Sequence, residues 1–102
     1  MGSVRWREIE RDGQLLIEEI HKVVVYRFSL GDVDDPEIYA AQPIWEWQQT
    51  PAGKFVMENS IEQPSFHRHS NPLTWGYNYA IIAEIEKKKL SEFYLKFGKQ
   101  NA

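Results

Sequence analysis

Two helix starts in one short stretch, Asp35-Pro36 and Thr50-Pro51, constrain the fold more than any other feature of the chain. In each, a side-chain oxygen precedes a proline. Asp35 and Thr50 offer acceptors for the free N–H groups of a first helical turn, and the proline arrives with its φ already set. Both lie within Asp34 to Asn59, DDPEIYAAQPIWEWQQTPAGKFVMEN, which also holds the densest group of large apolar side chains. From Pro36 to Gln48, Ile38, Ala40, Ala41, Ile44, Trp45 and Trp47 fall on about half of a 3.6-residue wheel. Tyr39, Gln42, Glu46 and Gln49 take the other half, with Glu37 and Gln48 intruding on the apolar arc. Pro43 lacks the N–H that would bond back to Tyr39, so a kink or a division into two short helices is expected there. The indoles of Trp45 and Trp47 stand about 200° apart on the wheel, so one belongs in the core and the other at a rim. A second helix from Pro51 to about Asn59 would bury Ala52, Phe55 and Val56.

Strand signals surround this middle segment. Lys22 to Leu30, KVVVYRFSL, places Val24, Tyr26, Phe28 and Leu30 on one face, and Val23 with Val25 makes the start of the other face apolar too, as in a central strand. Thr74 to Glu86 alternates Tyr77, Tyr79, Ile81, Ala83 and Ile85 against Asn78, Ala80, Ile82, Glu84 and Glu86, and should pair beside it. Ser65 to Ser70 follows Pro64 and reads as an edge strand, closed by the turn signal Asn71-Pro72. Asp12-Gly13 suits a two-residue hairpin between RWREIER and QLLIEEI, against a rival helix from Val4 to Arg11. At the end of the chain, Leu90, Phe93, Tyr94 and Phe97 have helical spacing, while Phe93, Leu95 and Phe97 also alternate. The aromatic content favours a strand, with Lys87 to Lys89 as the loop.

These elements predict an α+β fold: a mainly antiparallel sheet of about four strands with a kinked or two-piece helix on one face, a ferredoxin-like layer. The 102 residues fit a single domain over 1–102, with 1–20 a peripheral hairpin or helix and 21–98 the core. The absence of cysteine excludes disulfides and thiolate chemistry. No run approaches the roughly 18 apolar residues of a membrane span, and Met1 to Arg11 has no apolar signal core, so a soluble cytoplasmic protein is the expectation. A net charge of −3 argues against a general grip on nucleic acid.

Candidate chemistry is sparse. His67 and His69, two apart on a strand, point the same way and would form a metal or ligand site only with a further donor from another element; His21 is one candidate. Asp32, Asp34 and Asp35 lack the glycine and distal glutamate of a calcium loop, and Gly53-Lys54 lacks the rest of a phosphate loop. No nucleophile–base pair is visible, and no cofactor is implied. Acidic residues dominate Asp32 to Glu62, whereas Lys87, Lys88, Lys89, Lys96 and Lys99 gather near the end. The aromatic set Trp45, Trp47, Phe66, Trp75, Tyr77 and Tyr79 supplies core rings and leaves a remainder for recognition.

The run GDVDDPEIYAAQPIWEWQQTPAGKFVMEN, with the ending FYLKFG, resembles small uncharacterised proteins encoded by bacteriophages. That likeness covers most of the chain after His21 and implies an accessory role in the cytoplasm of an infected bacterium, with no activity attached. The leading expectation is a non-enzymatic interaction protein that meets a partner protein, or a second copy of itself, through Tyr39, Trp45, Glu46 and Trp47. Two alternatives stand beside it. One is a ferredoxin-like dimeric α+β barrel, an enzyme or ligand-binding domain whose aromatic pocket uses His67 or His69; the other is a single-strand nucleic acid binder using Lys87 to Lys89.

Overall fold

In the computed structural model, which describes residues 3–98, the chain runs β1 (Ser3–Arg11), β2 (Gln14–Leu30), α1 (Pro36–Gln49), α2 (Pro51–Asn59), β3 (Ser65–Asn71), β4 (Gly76–Glu86) and α3 (Lys87–Phe97). The four strands form one antiparallel sheet in the order β1-β2-β4-β3. Its strands curl, so the architecture is α+β without the flat layer of a ferredoxin-like fold.

The hairpin reading of the first residues holds. Asp12 (φ 53°) and Gly13 (φ 76°) both take positive φ, as a two-residue turn matched to strand twist requires, and Arg11 pairs with Gln14. The second arm of this hairpin does not stop where the peripheral segment was expected to end. Gln14–Leu30 is one strand, so the outer hairpin and the central strand are a single element.

A strand this long cannot keep one apolar face by strict alternation, because Arg27 and Ser29 would follow His21, Val23 and Val25 into the core. The pairing with β4 resolves this by a bulge between Val24 and Tyr26: Val23 pairs with Ala83 and Val24 with Ile82, but Tyr26 pairs with Ile81. Val25 is the extra residue. Beyond it Tyr26, Phe28 and Leu30 share the core face with Tyr79 and Ile81, and Val24, expected beside Tyr26, lies on the opposite face.

Over the core face lie all three helices. Val25, Trp47, Val56, Ile81, Ala83, Ile85, Leu90 and Phe93 make one buried cluster, with Ala52, Phe55, Tyr94 and Phe97 packed on it. The segment Leu90 to Phe97 is therefore helical, not a strand. Its four apolar residues at helical spacing meet the core, Phe93 lying 5.8 Å from Phe55 and 5.3 Å from Phe97, while the exposed Leu95 faces outward. Gly98 (φ 75°) follows its last turn. The helix follows β4 without a loop, because the Glu86 side chain accepts hydrogen bonds from the N–H groups of Lys88 and Lys89 and caps it.

The middle of the chain is two helices, but the break falls at Thr50 and α1 continues through Pro43. The carbonyl that loses its partner belongs to exposed Tyr39, where water can replace the missing N–H. At the break, the Thr50 hydroxyl accepts from the Gly53 N–H at 3.0 Å and donates to the Trp47 carbonyl at 2.6 Å. Asp35, by contrast, makes no side-chain capping bond. Gly53 packs so closely under the end of α1 that a Cβ there would lie 1.8 Å from the Trp47 carbonyl oxygen. Gly53→Ala should therefore cost at least about 2 kcal/mol by forcing the two helices apart. Gly31→Ala, with nothing within 4 Å of the added carbon, should leave the midpoint of denaturant unfolding close to that of the wild type.

Candidate interaction surfaces

α1 lies against the sheet on a narrower arc than its composition foretold. Pro36, Ala40 and Trp47 are buried and Pro43, Ile44 and Gln48 half-buried, which is the i, i+4, i+7 row of one helix side. Trp47 is only 4% exposed and stacks on Tyr26 at 5.9 Å. Core packing thus removes Trp47 from the open partner surface expected of it, although its edge lines a groove of about 400 Å³ with Tyr26, Pro43, Glu46 and Thr50.

Trp45 is the rim indole, 61% exposed. Ile38 and Tyr39 are exposed with it, and successive turns bring Ile38, Gln42 and Trp45, and Tyr39, Gln42 and Glu46, into two adjoining rows about 10 Å long. Ile38 and Trp45 both fall on the apolar half of the wheel, which left open which indole would be the outer one. They are outside because the sheet meets the helix along the row containing Pro43, leaving the flanking apolar positions uncovered. Gln42 donates to Glu46 at 3.0 Å, and α1 carries no Lys or Arg. Glu37, at its start, is held by Arg68 of β3 at 2.6 Å.

His67 and His69 do share a face, since they pair with Ala80 and Asn78 on the side of the sheet away from the helices. Both are exposed, and His67 Nε2 lies 3.1 Å from the Ser65 hydroxyl. His21 pairs with Ile85 on the helix-covered face and lies 2.5 Å from Glu19, so it does not join them. Among the described residues no group of three or more His, Cys, Asp or Glu side chains is placed to hold a metal ion. The grooves beside α1 and beneath the hairpin are lined by neither His67 nor His69. Asp32, Asp34 and Asp35 are exposed in the loop before α1.

The basic end is partly neutralised, with Lys96 3.1 Å and Lys89 3.9 Å from Glu92. Lys99 lies outside the described residues. Glu92 has its pKa lowered, first by the hydrogen bond from Lys96.

A further apolar exposure is one that sequence reasoning passed over. Trp6 (63%) and Ile17 (67%) are open on the hairpin, as are Val4 and Leu15. Once Arg11 is paired with Gln14, counting back along the two strands puts all four on one face, so the signal was present in the Asp12-Gly13 turn. The other face of the hairpin overhangs the end of α2 and the start of α3. There a groove of about 630 Å³ is lined by Arg7, Ile9, Arg11 and Leu16 on one side and Ile61, Glu86 and Lys88 on the other.

The hairpin is anchored across β2 by an ion pair from Arg5 Nε to Glu84 Oε2 at 2.6 Å. The hydrogen bond from Arg5 is the main cause holding the Glu84 carboxyl below its ordinary pKa, against the opposing effect of burial. Comparison with protein-family models, curated proteins and solved structures finds no match.

Because Glu84 has a lower pKa folded than unfolded, its stabilisation is present above the ordinary carboxylate range and fades as pH falls through the lowered value. Glu84→Gln should therefore have a lower Tm than the wild type at neutral pH. The gap should close in strong acid, which parallel thermal scans across pH would show.

Proposed function

We propose that the chain is a small non-enzymatic interaction protein that engages a partner protein, or a second copy of itself, through the outer face of α1. The observation that carries this reading is the exposure of Trp45 beside Tyr39 and Ile38 on a helix whose inner side is committed to the core. Trp and Tyr give large contact area for little lost side-chain freedom, which is why they dominate binding hot spots. Glu46 at the edge of the patch and the absence of any cation on α1 favour a partner with a basic rim. In the setting that the phage resemblance implies, such a protein would work in the bacterial cytoplasm as an accessory to another component, without chemistry of its own.

The two tryptophans separate recognition from folding. Trp45→Ala should leave Tm nearly unchanged and abolish the association. Trp47→Ala should lose about 3–5 kcal/mol of stability through the cavity it opens. Solution mass of the purified protein, together with what co-purifies with the intact chain from its native cell, provides the readout. An identical mass and identical co-purifying species in wild type and Trp45→Ala would refute the α1 reading.

A further inference from the structure

We propose that the outer part of the β1–β2 hairpin is a second docking surface, separate from α1, and that its occupant is a cationic amphipathic segment of another protein, with Lys or Arg interleaved with aliphatic side chains.

β4 pairs with β2 no farther out than Ile20, so Gln14 to Glu19 and their β1 partners form a ribbon of two strands only. The molecule is correspondingly long, 53 × 24 × 22 Å. A two-stranded ribbon is marginal in water unless something covers an apolar face. Here the pairs Val4↔His21, Trp6↔Glu19, Glu8↔Ile17 and Glu10↔Leu15 share a face, since directly opposed residues point the same way. Val4, Trp6, Leu15 and Ile17 on it are all exposed.

Charge on this hairpin is sorted by face. The apolar face carries Glu8 and Glu10, with Glu19 engaged by His21, and no Lys or Arg, while Arg5, Arg7, Arg11 and Lys22 belong to the other face, where Arg5 holds Glu84 and Arg7 holds Glu18 at 3.0 Å. Solubility alone would be served equally well by both signs on each face.

This sorting selects the occupant. A second copy docked face to face would bring two sets of Glu8 and Glu10 together with no Lys or Arg on either face to offset them. Two-fold pairing along the β1 edge fares no better: centred on Arg7 or Glu8 it opposes like charges, and centred on Trp6 it sets Arg5 against Arg7. An anionic lipid surface is repelled for the same reason. A segment with alternating basic and aliphatic residues meets both requirements. Four apolar side chains and three carboxylates form a patch the size of a peptide contact, well short of a domain interface.

The test is isothermal titration of the full chain with a synthetic peptide of alternating Lys and Val, and with its counterpart carrying Glu for Lys. The Lys peptide should bind and weaken as salt rises. Trp6→Ser with Ile17→Ser, or Leu15→Ser alone at the tip, should weaken it about tenfold or more with Tm and far-UV dichroism unchanged. Glu8→Lys with Glu10→Lys should abolish that binding and admit the Glu peptide. Asp32→Lys with Asp34→Lys makes the same charge change at the far end of β2 and should leave Kd as it was, as should Trp45→Ala. An equal loss from the Asp32/Asp34 pair would mean that only net charge is read, and the proposal falls. Unchanged affinity in the hairpin variants, or a dimer by sedimentation that Trp6→Ser dissolves, would overturn it as well.

Discussion

The structure depends on a change of phase in its longest strand. β2 must present apolar residues to the helices along the whole of its pairing with β4, yet its sequence alternates correctly only in two separate halves. The extra residue at Val25 joins those halves. Before it Val23 faces the core, and after it Tyr26 and Phe28 do, with Val25 itself buried. Without the bulge Arg27 and Ser29 would point inward, and burying an unpaired guanidinium costs far more than one strand pairing returns. Bulges also increase local twist, which accords with the curl of the sheet.

The same strand connects two regions of different character. Toward Leu30 it is flanked by β4 and covered by aromatic stacking, Phe28 lying 5.0 Å from Tyr79 with ring planes 2° apart. Toward Gln14 it has only β1 for company and carries its apolar residues into solvent. One element is thus both the middle of the sheet and an outlying arm, with the Arg5–Glu84 pair fastening β1 across it to β4. On the other side of β4, Ser60 bridges Ile85 and the Ile61 N–H donates to the Glu84 carbonyl at 2.8 Å, so the chain leaving α2 continues the edge where β3 has not yet begun.

The helical layer depends on a close approach of backbone to backbone. Thr50 turns the chain between α1 and α2, and Gly53 lets the backbone of α2 approach the Trp47 carbonyl. That junction orients α1 so that Trp47 is buried and Trp45 is not. The exposed patch on α1 is therefore a by-product of which row of the helix the sheet accepts. The α1 stripe and the hairpin arm both lie beside carboxylates, and each follows from an element whose second side is already engaged.

Much of this was legible in the residues alone. The Asp12-Gly13 turn, the β2–β4 neighbourhood, the edge position of His67 and His69, the inner face of β4 and the two proline-led helices all follow from local stereochemistry and period-two alternation, which act over a few residues. Tertiary packing decided what remained. The last segment carries both a helical and an alternating pattern, and it is a helix because Leu90, Phe93 and Phe97 find Phe55 and Ile85 within reach on one side. The bulge at Val25 was hidden because an apolar run of three valines reads the same in either phase until a partner strand sets the register. Which tryptophan would be exposed was open for a like reason: the helical wheel separates the two indoles by angle, but only the sheet beneath, meeting α1 along Ala40, Pro43 and Trp47, determines which side is inside.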